Sequence, residues 1–325
     1  MFSLTPYNTF GLQVAARRGL IVRSGRDLEG VDDELILILG QGSDVLLTED
    51  FHGTALINAL PGLEIHRARR AHEVRLGGGE QLDAAIAQLL RQGIPGLERL
   101  SCIPGTVGAA PVQNVGAYGT ELGTFIERVE AFCLRERRRV CLERGDCAFG
   151  YRTSAFCTPA LRHLFITGVH LRLPCAESGV HAGVLRRALA VRREVSELRR
   201  RKLPDPRHVG NAGSFFRNPH VAAGQLHELR AELPDLPAWP QDGGQYKISA
   251  AYLIDRAGLR GITRGRAGTW EHQALVLVNR GRAHPHEILS LAKYIAARVL
   301  EHFGVVLEPE VRIFGSRGEL AWREI

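Results

Sequence analysis

Six short segments of this 325-residue chain combine residue types that can do chemistry. Gly40-Gln41-Gly42-Ser43-Asp44 and Pro104-Gly105-Thr106-Val107-Gly108-Ala109-Ala110 are glycine loops whose successive backbone N–H groups are unobstructed by side chains, which suits an anion. Two such loops in one half of a chain suit a ligand with a pyrophosphate bridge, such as a dinucleotide, although each alone also reads as an ordinary turn. The charge-free run Gln113 to Gly119, with Gly116 at its centre, adds to the pair. Phe149 to Phe156 sets Tyr151 and Arg152 beside hydroxyl residues, and a guanidinium held there can clamp a carboxylate through two parallel hydrogen bonds or simply make a surface ion pair. Gly210-Asn211-Ala212-Gly213-Ser214-Phe215-Phe216 puts small residues before a serine, admitting a ligand to its hydroxyl, and aromatics after it to exclude water. No G-x-S-x-G elbow is present, so a hydrolase nucleophile is not indicated, and a plain turn before a strand remains open. Leu307 to Arg312 embeds Glu308 and Glu310 in an apolar run, where a carboxyl stays protonated if burial raises its pKa, or pairs with a nearby arginine.

These segments need elements to hold them. Short Ile, Val and Leu runs at Leu20–Val22, Leu35–Leu39 and Val45–Leu47 read as strands, so the chain resumes as strand after Gly40–Asp44 and lacks the helix that a nicotinamide-type dinucleotide fingerprint requires. Leu82, Ala85, Ile86, Leu89 and Leu90 fall at helical spacing, ended by Gly93 and Pro95. Strands are expected at Glu73–Leu76, Ile126–Cys133, Leu164–Leu173, Gln273–Asn279 and Val305–Phe314, and helices at Arg186–Arg201, Ala250–Ala257 and Pro285–His302. The mixture predicts an α+β fold.

Composition bounds the rest. With 45% hydrophobic and 24% charged residues the chain reads as globular, and no apolar run approaches the roughly 20 residues of a bilayer span. The N-terminus carries no basic-then-apolar leader, so a cytoplasmic protein is expected. A net charge of +7 with no aromatic residues among the basic runs, and no nucleic-acid module, points to small anionic ligands rather than nucleic acid. The six cysteines form no C-x-x-C pair, so neither disulfides nor a metal site is expected, and they are read as reduced and mostly buried.

Taken in order, Asn8 to Gly11, Leu39 to Ser43, Ile103 to Gly119, Gly150-Tyr151-Arg152, Lys202 to Pro206, Gly210 to Pro219, Gln273 to Asn279 and Leu307 to Arg312 resemble the UDP-N-acetylenolpyruvoylglucosamine reductases over nearly the whole chain. The resemblance implies a two-lobed FAD-binding domain of the vanillyl-alcohol-oxidase type at 1–174, with lobes at about 1–57 and 58–174. A connecting helix at 175–202 and a smaller α+β substrate-binding domain at 203–325 follow, the C-terminal strand returning to the active site. It implies electron flow from NADPH through FAD to a UDP-sugar enolpyruvyl ether in a monomer. The alternatives are a related FAD oxidoreductase with another substrate and a flavin-free sugar-nucleotide-binding paralogue. By position, Ser214 resembles the proton donor, and Arg152 and Glu310 the pair that polarises the substrate carboxylate. Gly40, Gln41, Gly42, Ser43, Asp44, Pro104, Gly105, Gly108, Gly116, Arg199 and Arg312 resemble FAD contacts; Tyr151, Lys202, Asn218 and Gln273 resemble substrate contacts. Three departures stand out: a short link between Val22 and Leu35, Asp44 where asparagine is expected, and no tyrosine from Cys175 to Arg201.

Overall fold

The computed structural model describes residues 1–32, 34–69, 71–175 and 181–325, so part of the expected 175–202 connector lies outside the described residues. The chain forms two compact units, one of Met1, Arg17–Gln41 and Gly53–Arg199, the other of Phe2–Ala16, Gly42–His52 and Arg200–Ile325. The fold is α+β in both. Among the described residues no helix is long and apolar enough to cross a membrane.

The first unit is built on a five-stranded sheet in the order Arg138–Glu143, Ile126–Cys133, Leu164–Pro174, Ala71–Gly77, Leu63–Arg67, every neighbouring pair antiparallel. One face is apolar because side chains alternate along a strand, and helix α1 (Leu82–Arg91) lays its stripe of Leu82, Ala85, Ile86, Leu89 and Leu90 in the same core as Val74, Val129, Val169 and Leu171. A smaller parallel pairing, Ile36↔Thr54 to Leu39↔Ile57, carries the chain to Gly40. Among the described residues the short link before it contains no α-helix: residues Gly25–Leu28 make a 3₁₀ turn, held by Asp27 accepting from the N–H groups of Arg23 and Ser24 at 2.8 Å each. Helix α2 (His181–Lys202) begins five residues before the expected start at Arg186, because Gly183, a poor helix former, weakens the local signal there.

The second unit has a four-stranded sheet ordered Gly210–Ser214, Gln273–Asn279, Ala267–Trp270, Thr263–Arg264. The run from Ala274 to Asn279 is buried throughout, as a central strand covered on both faces must be. Helices α3 (Ala223–Glu232), α4 (Ala250–Arg256) and α5 (Pro285–Phe303) contribute to its core. Helix α5 begins with a capping box between His284 and Glu287 and ends at Gly304 in the left-handed conformation, φ +64°. Within this unit Val45–Leu47 pairs in parallel with Arg312–Gly315.

Two expectations need correction. The strand expected over Val305–Phe314 is confined to Arg312–Gly315; Pro309 lacks the N–H that a ladder needs, and residues 305–310 make a single bridge, Phe216↔Pro309, in place of a ladder. Of the six cysteines only Cys133 and Cys147 are buried, while Cys141 is exposed and the others lie between, because Cys141 sits on the edge strand Arg138–Glu143.

Gly108 illustrates how closely the first unit packs. A Cβ there would fall 2.8 Å from Asn58 Nδ2 and 2.9 Å from the Gly78 carbonyl oxygen, and Asn58 cannot yield because its Nδ2 donates to the Ile166 carbonyl at 2.7 Å. Gly108→Ala is therefore expected to cost about 1–3 kcal/mol of stability in denaturant titrations followed by circular dichroism; an unchanged midpoint would contradict the packing.

Candidate active site

In the first unit the two glycine loops meet. Gln41 Oε1 accepts the Gly105 N–H at 2.8 Å across 64 residues of sequence, and a Cβ on Gly40 would lie 2.3 Å from Thr106 Oγ1, so only glycine fits at position 40. Gly105 is at φ +128°, a conformation suited to glycine, and its carbonyl accepts the Leu82 N–H at 3.1 Å. Among the described residues, the N–H groups of Gly40 and Gln41 make no hydrogen bond, and the Thr106 hydroxyl, on a residue 4% exposed, has no partner. Buried hydroxyls without partners are uncommon, and donors gathered at a glycine turn fit the oxygens of a phosphate. The residues present therefore fit the diphosphate of a dinucleotide.

The other expected cofactor residues are placed less uniformly. Pro104 is exposed beside the cradle. The Gly108 N–H is engaged by the Gly78 carbonyl at 2.8 Å. Gly116 is a rung of a small hairpin opposite Glu121, whose Cγ would be 2.9 Å from a Cβ at 116. Arg199 donates from Nε to the Cys102 carbonyl at 3.2 Å; burial draws its guanidinium below the usual arginine pKa, with Tyr118 and Asp83 nearby opposing. In the second unit, Gly42 (φ +59°) accommodates the Tyr7 carbonyl, which a Cβ would approach to 2.1 Å. Asp44 accepts the Arg312 N–H on its backbone oxygen at 3.1 Å, near half-buried Ser43, and the Arg312 guanidinium makes a forked pair with Glu319 at 2.8 and 2.7 Å.

Arg152, also in the first unit, occupies a left-handed backbone position, φ +53°, in a turn closed by Gly150↔Thr153. Its Nη1 donates to the Gly116 carbonyl at 2.9 Å, and its guanidinium carbon lies 5.6 Å from the ring centre of exposed Tyr151. Buried Asn114 binds both sides of this region, donating to Gly150 O at 3.0 Å and Glu121 Oε2 at 2.8 Å and accepting the Gly123 N–H at 2.8 Å. The guanidinium is thus built into a stitched pair of loops, consistent with a fixed cation.

Ser214 and Glu310 are brought together within the second unit by backbone alone. The register moves from Asn211↔Val278 to Ser214↔Val276, a bulge at Gly213 (φ +70°) that turns the strand end. Asn211 sets the bulge: Oδ1 accepts the Gly213 N–H at 3.0 Å while Nδ2 donates to Pro204 O at 3.1 Å and Val209 O at 2.8 Å. The next residue, Phe215, is the hub, donating to Leu275 O and accepting the Glu310 N–H, both at 2.8 Å. Phe215 and Phe216, expected to exclude water beside the serine, are 0% and 1% exposed and packed in the core, where they anchor the segment. Among the described residues the half-buried Ser214 hydroxyl has no hydrogen-bond partner.

Of the expected substrate contacts, Lys202 is exposed at the end of α2. Asn218 Oδ1 accepts the Ala250 N–H at 3.0 Å, serving the start of α4, and Gln273 Oε1 sits 3.4 Å from the Leu275 nitrogen. A feature the sequence did not reveal is a cross-strand row of His220, Lys247 and Trp239, with Lys247 Nζ 5.9 Å from the ring centre of exposed Trp239. Its strands of three and four residues are too short to show a period.

Comparison with known proteins agrees with both halves. Residues 32–134 match the FAD binding domain family, and residues 205–314 match the UDP-N-acetylenolpyruvoylglucosamine reductase, C-terminal domain family. The chain is 39% identical to the UDP-N-acetylenolpyruvoylglucosamine reductase of Shigella sonnei, with 98% of this chain and 97% of that protein covered, and 42% identical to that of Burkholderia ambifaria, with 94% of each covered. The crystal structure of the Thermus caldophilus reductase shares the fold, with a TM-score of 0.70 at 24% identity over 96% of this chain and 97% of that one.

Asn211→Ala is expected to remove the acceptor that holds Gly213 and to leave buried carbonyls unpaired, costing about 1–3 kcal/mol. Thermal unfolding by calorimetry checks this, and an unshifted transition would mean that the bulge holds itself.

Proposed function

The chain belongs to the UDP-N-acetylenolpyruvoylglucosamine reductase family of peptidoglycan synthesis, an FAD-binding oxidoreductase family, and from that premise we propose that it reduces UDP-N-acetylglucosamine enolpyruvate to UDP-N-acetylmuramate at the expense of NADPH. FAD, when bound, would supply the two-electron redox chemistry that links NADPH to the enolpyruvyl double bond. The Gly40 and Gln41 N–H groups and the Thr106 hydroxyl would hold its diphosphate, in a cradle that Gly105 closes through Gln41.

The rest of the work falls to side chains. As the double bond is reduced, negative charge moves onto the substrate carboxyl group, and a guanidinium with a hydrogen-bond donor beside it lowers the barrier. Arg152 supplies the cation and protonated Glu310 the donor in this reading. The carbon next to that carboxylate then needs a proton, and Ser214 Oγ delivers it. Lys202, Asn218, Gln273 and Tyr151 hold the nucleotide sugar, the lysine as a point charge for its diphosphate. The observation that carries the reading is the Ser214 hydroxyl, without a partner among the described residues, at the end of a bulged strand whose next residue grips the Glu310 backbone at 2.8 Å. The two family matches flank α2, which supports a boundary near it between an FAD-binding domain at 1–174 and a substrate domain at 203–325, with a connector at 175–202 whose described helix is His181–Lys202, although Phe2–Ala16 and Gly42–His52 belong to the same compact unit as Arg200–Ile325.

Stopped-flow absorbance separates the two half-reactions. Ser214→Ala is expected to leave flavin reduction by NADPH near the parent rate and slow reoxidation by enolpyruvyl sugar nucleotide about 10²- to 10⁴-fold; equal slowing of both would sink the proton-donor role. Arg152→Lys keeps the charge but loses the fork and the bond to Gly116, so reoxidation is again expected to fall, by about 10-fold or more. Parental turnover in that variant would show that any cation suffices.

A further inference from the structure

The loop that lends Gly105 to the cradle is gripped from its far side. Asp83, in the first turn of α1, accepts the Cys102 N–H on Oδ1 at 2.7 Å, and the same carboxylate takes the Arg192 fork, Nη1 on Oδ1 at 2.7 Å and Nη2 on Oδ2 at 3.1 Å. Arg192 Nη1 also reaches Ser101 Oγ at 2.8 Å. Ser196 Oγ lies 3.2 Å from Cys102 Sγ, and Arg199 Nε takes the Cys102 carbonyl. Positions 192, 196 and 199 form one stripe of α2. Every polar group of Cys102 is therefore held, and Cys102 needs holding: its φ of +60° is left-handed, which costs a residue with a side chain about 1–2 kcal/mol.

We propose that Asp83 and Arg192 are positioning residues for FAD: their ion pair locks Cys102 in its left-handed conformation and thereby fixes Gly105 and Thr106 in the diphosphate cradle. Gly105 lies three residues beyond Cys102, a lever of up to about 10 Å, so a backbone rotation of roughly 10° moves it by nearly 2 Å. The 2.8 Å bond from Gly105 to Gln41 does not survive such a shift. Burial works to raise the Asp83 pKa, but the Arg192 fork and the Cys102 N–H outweigh it and hold the carboxyl below its ordinary value, so the clamp is charged at neutral pH. The inference rests on the family's FAD and is independent of which substrate the flavin reduces.

A comparable ion pair elsewhere in the same unit provides the control. Arg75 forks onto Glu130 at 3.0 and 2.8 Å on the five-stranded sheet, where it touches no cradle residue. Holoprotein of each variant is diluted and FAD release followed by the recovery of free FAD fluorescence, with far-UV circular dichroism on the same samples. Arg192→Lys, which keeps the charge but not the fork, and Asp83→Asn, which keeps an acceptor for Cys102 but loses the charge, are each expected to release FAD about 10-fold faster with folded spectra. A variant that purifies folded but without flavin supports the proposal equally. Glu130→Gln is expected to lower the melting temperature similarly and release FAD at the parent rate. Release within twofold of the parent in both clamp variants, release that accelerates only as the protein unfolds, or an equal acceleration in Glu130→Gln would overturn it.

Discussion

The approach of two glycine loops in the first unit, closed by the Gly105 N–H on the Gln41 side chain, is the constraint on which the proposed cofactor site depends. Two polar loops do not come together by hydrophobic burial; they meet because the strand Ile36–Leu39 ends at Gly40 and because α1 and the five-stranded sheet fix where residue 105 begins. Missing side chains make the approach possible. A methyl group at 40 would collide with Thr106, and one at 108 with Asn58 and Gly78. The contact leaves donors without acceptors, and an anionic ligand resolves that deficit.

The second unit solves a different problem, holding a hydroxyl that has no partner among the described residues. A bulge does this at low cost, since Gly213 tolerates the left-handed turn and Asn211 supplies the hydrogen bonds the ladder gives up there. Phe215 then joins the serine segment to the glutamate segment through backbone bonds, while its ring anchors both in the core. Rigidity next to that hydroxyl is what the proposed proton delivery requires.

Much of this was legible in the sequence because glycine, proline and apolar periodicity are local signals. The loops at 40–42 and 104–108, helix α1 and the buried strand at 273–279 all announce themselves that way. What could not be read were long-range consequences. Nothing local says that Gln41 reaches Gly105, or that Asp83 is more than an ordinary acid in a first helical turn. Arg192 was hidden among the many arginines of a helix whose charge reads as a solvated face. The run Val305–Phe314 misled because its alternation is genuine while Pro309 keeps it out of the ladder, and what the sequence did not show is that Phe215 and Phe216 also anchor the serine segment in the core.

A crystal structure of the holoprotein tests the central claim most directly. The account predicts FAD diphosphate oxygens within about 2.7–3.2 Å of the Gly40 and Gln41 nitrogens and of Thr106 Oγ1, with the Gln41 to Gly105 bond intact. A diphosphate bound elsewhere on the chain, or loops parted with Thr106 turned away, would contradict it.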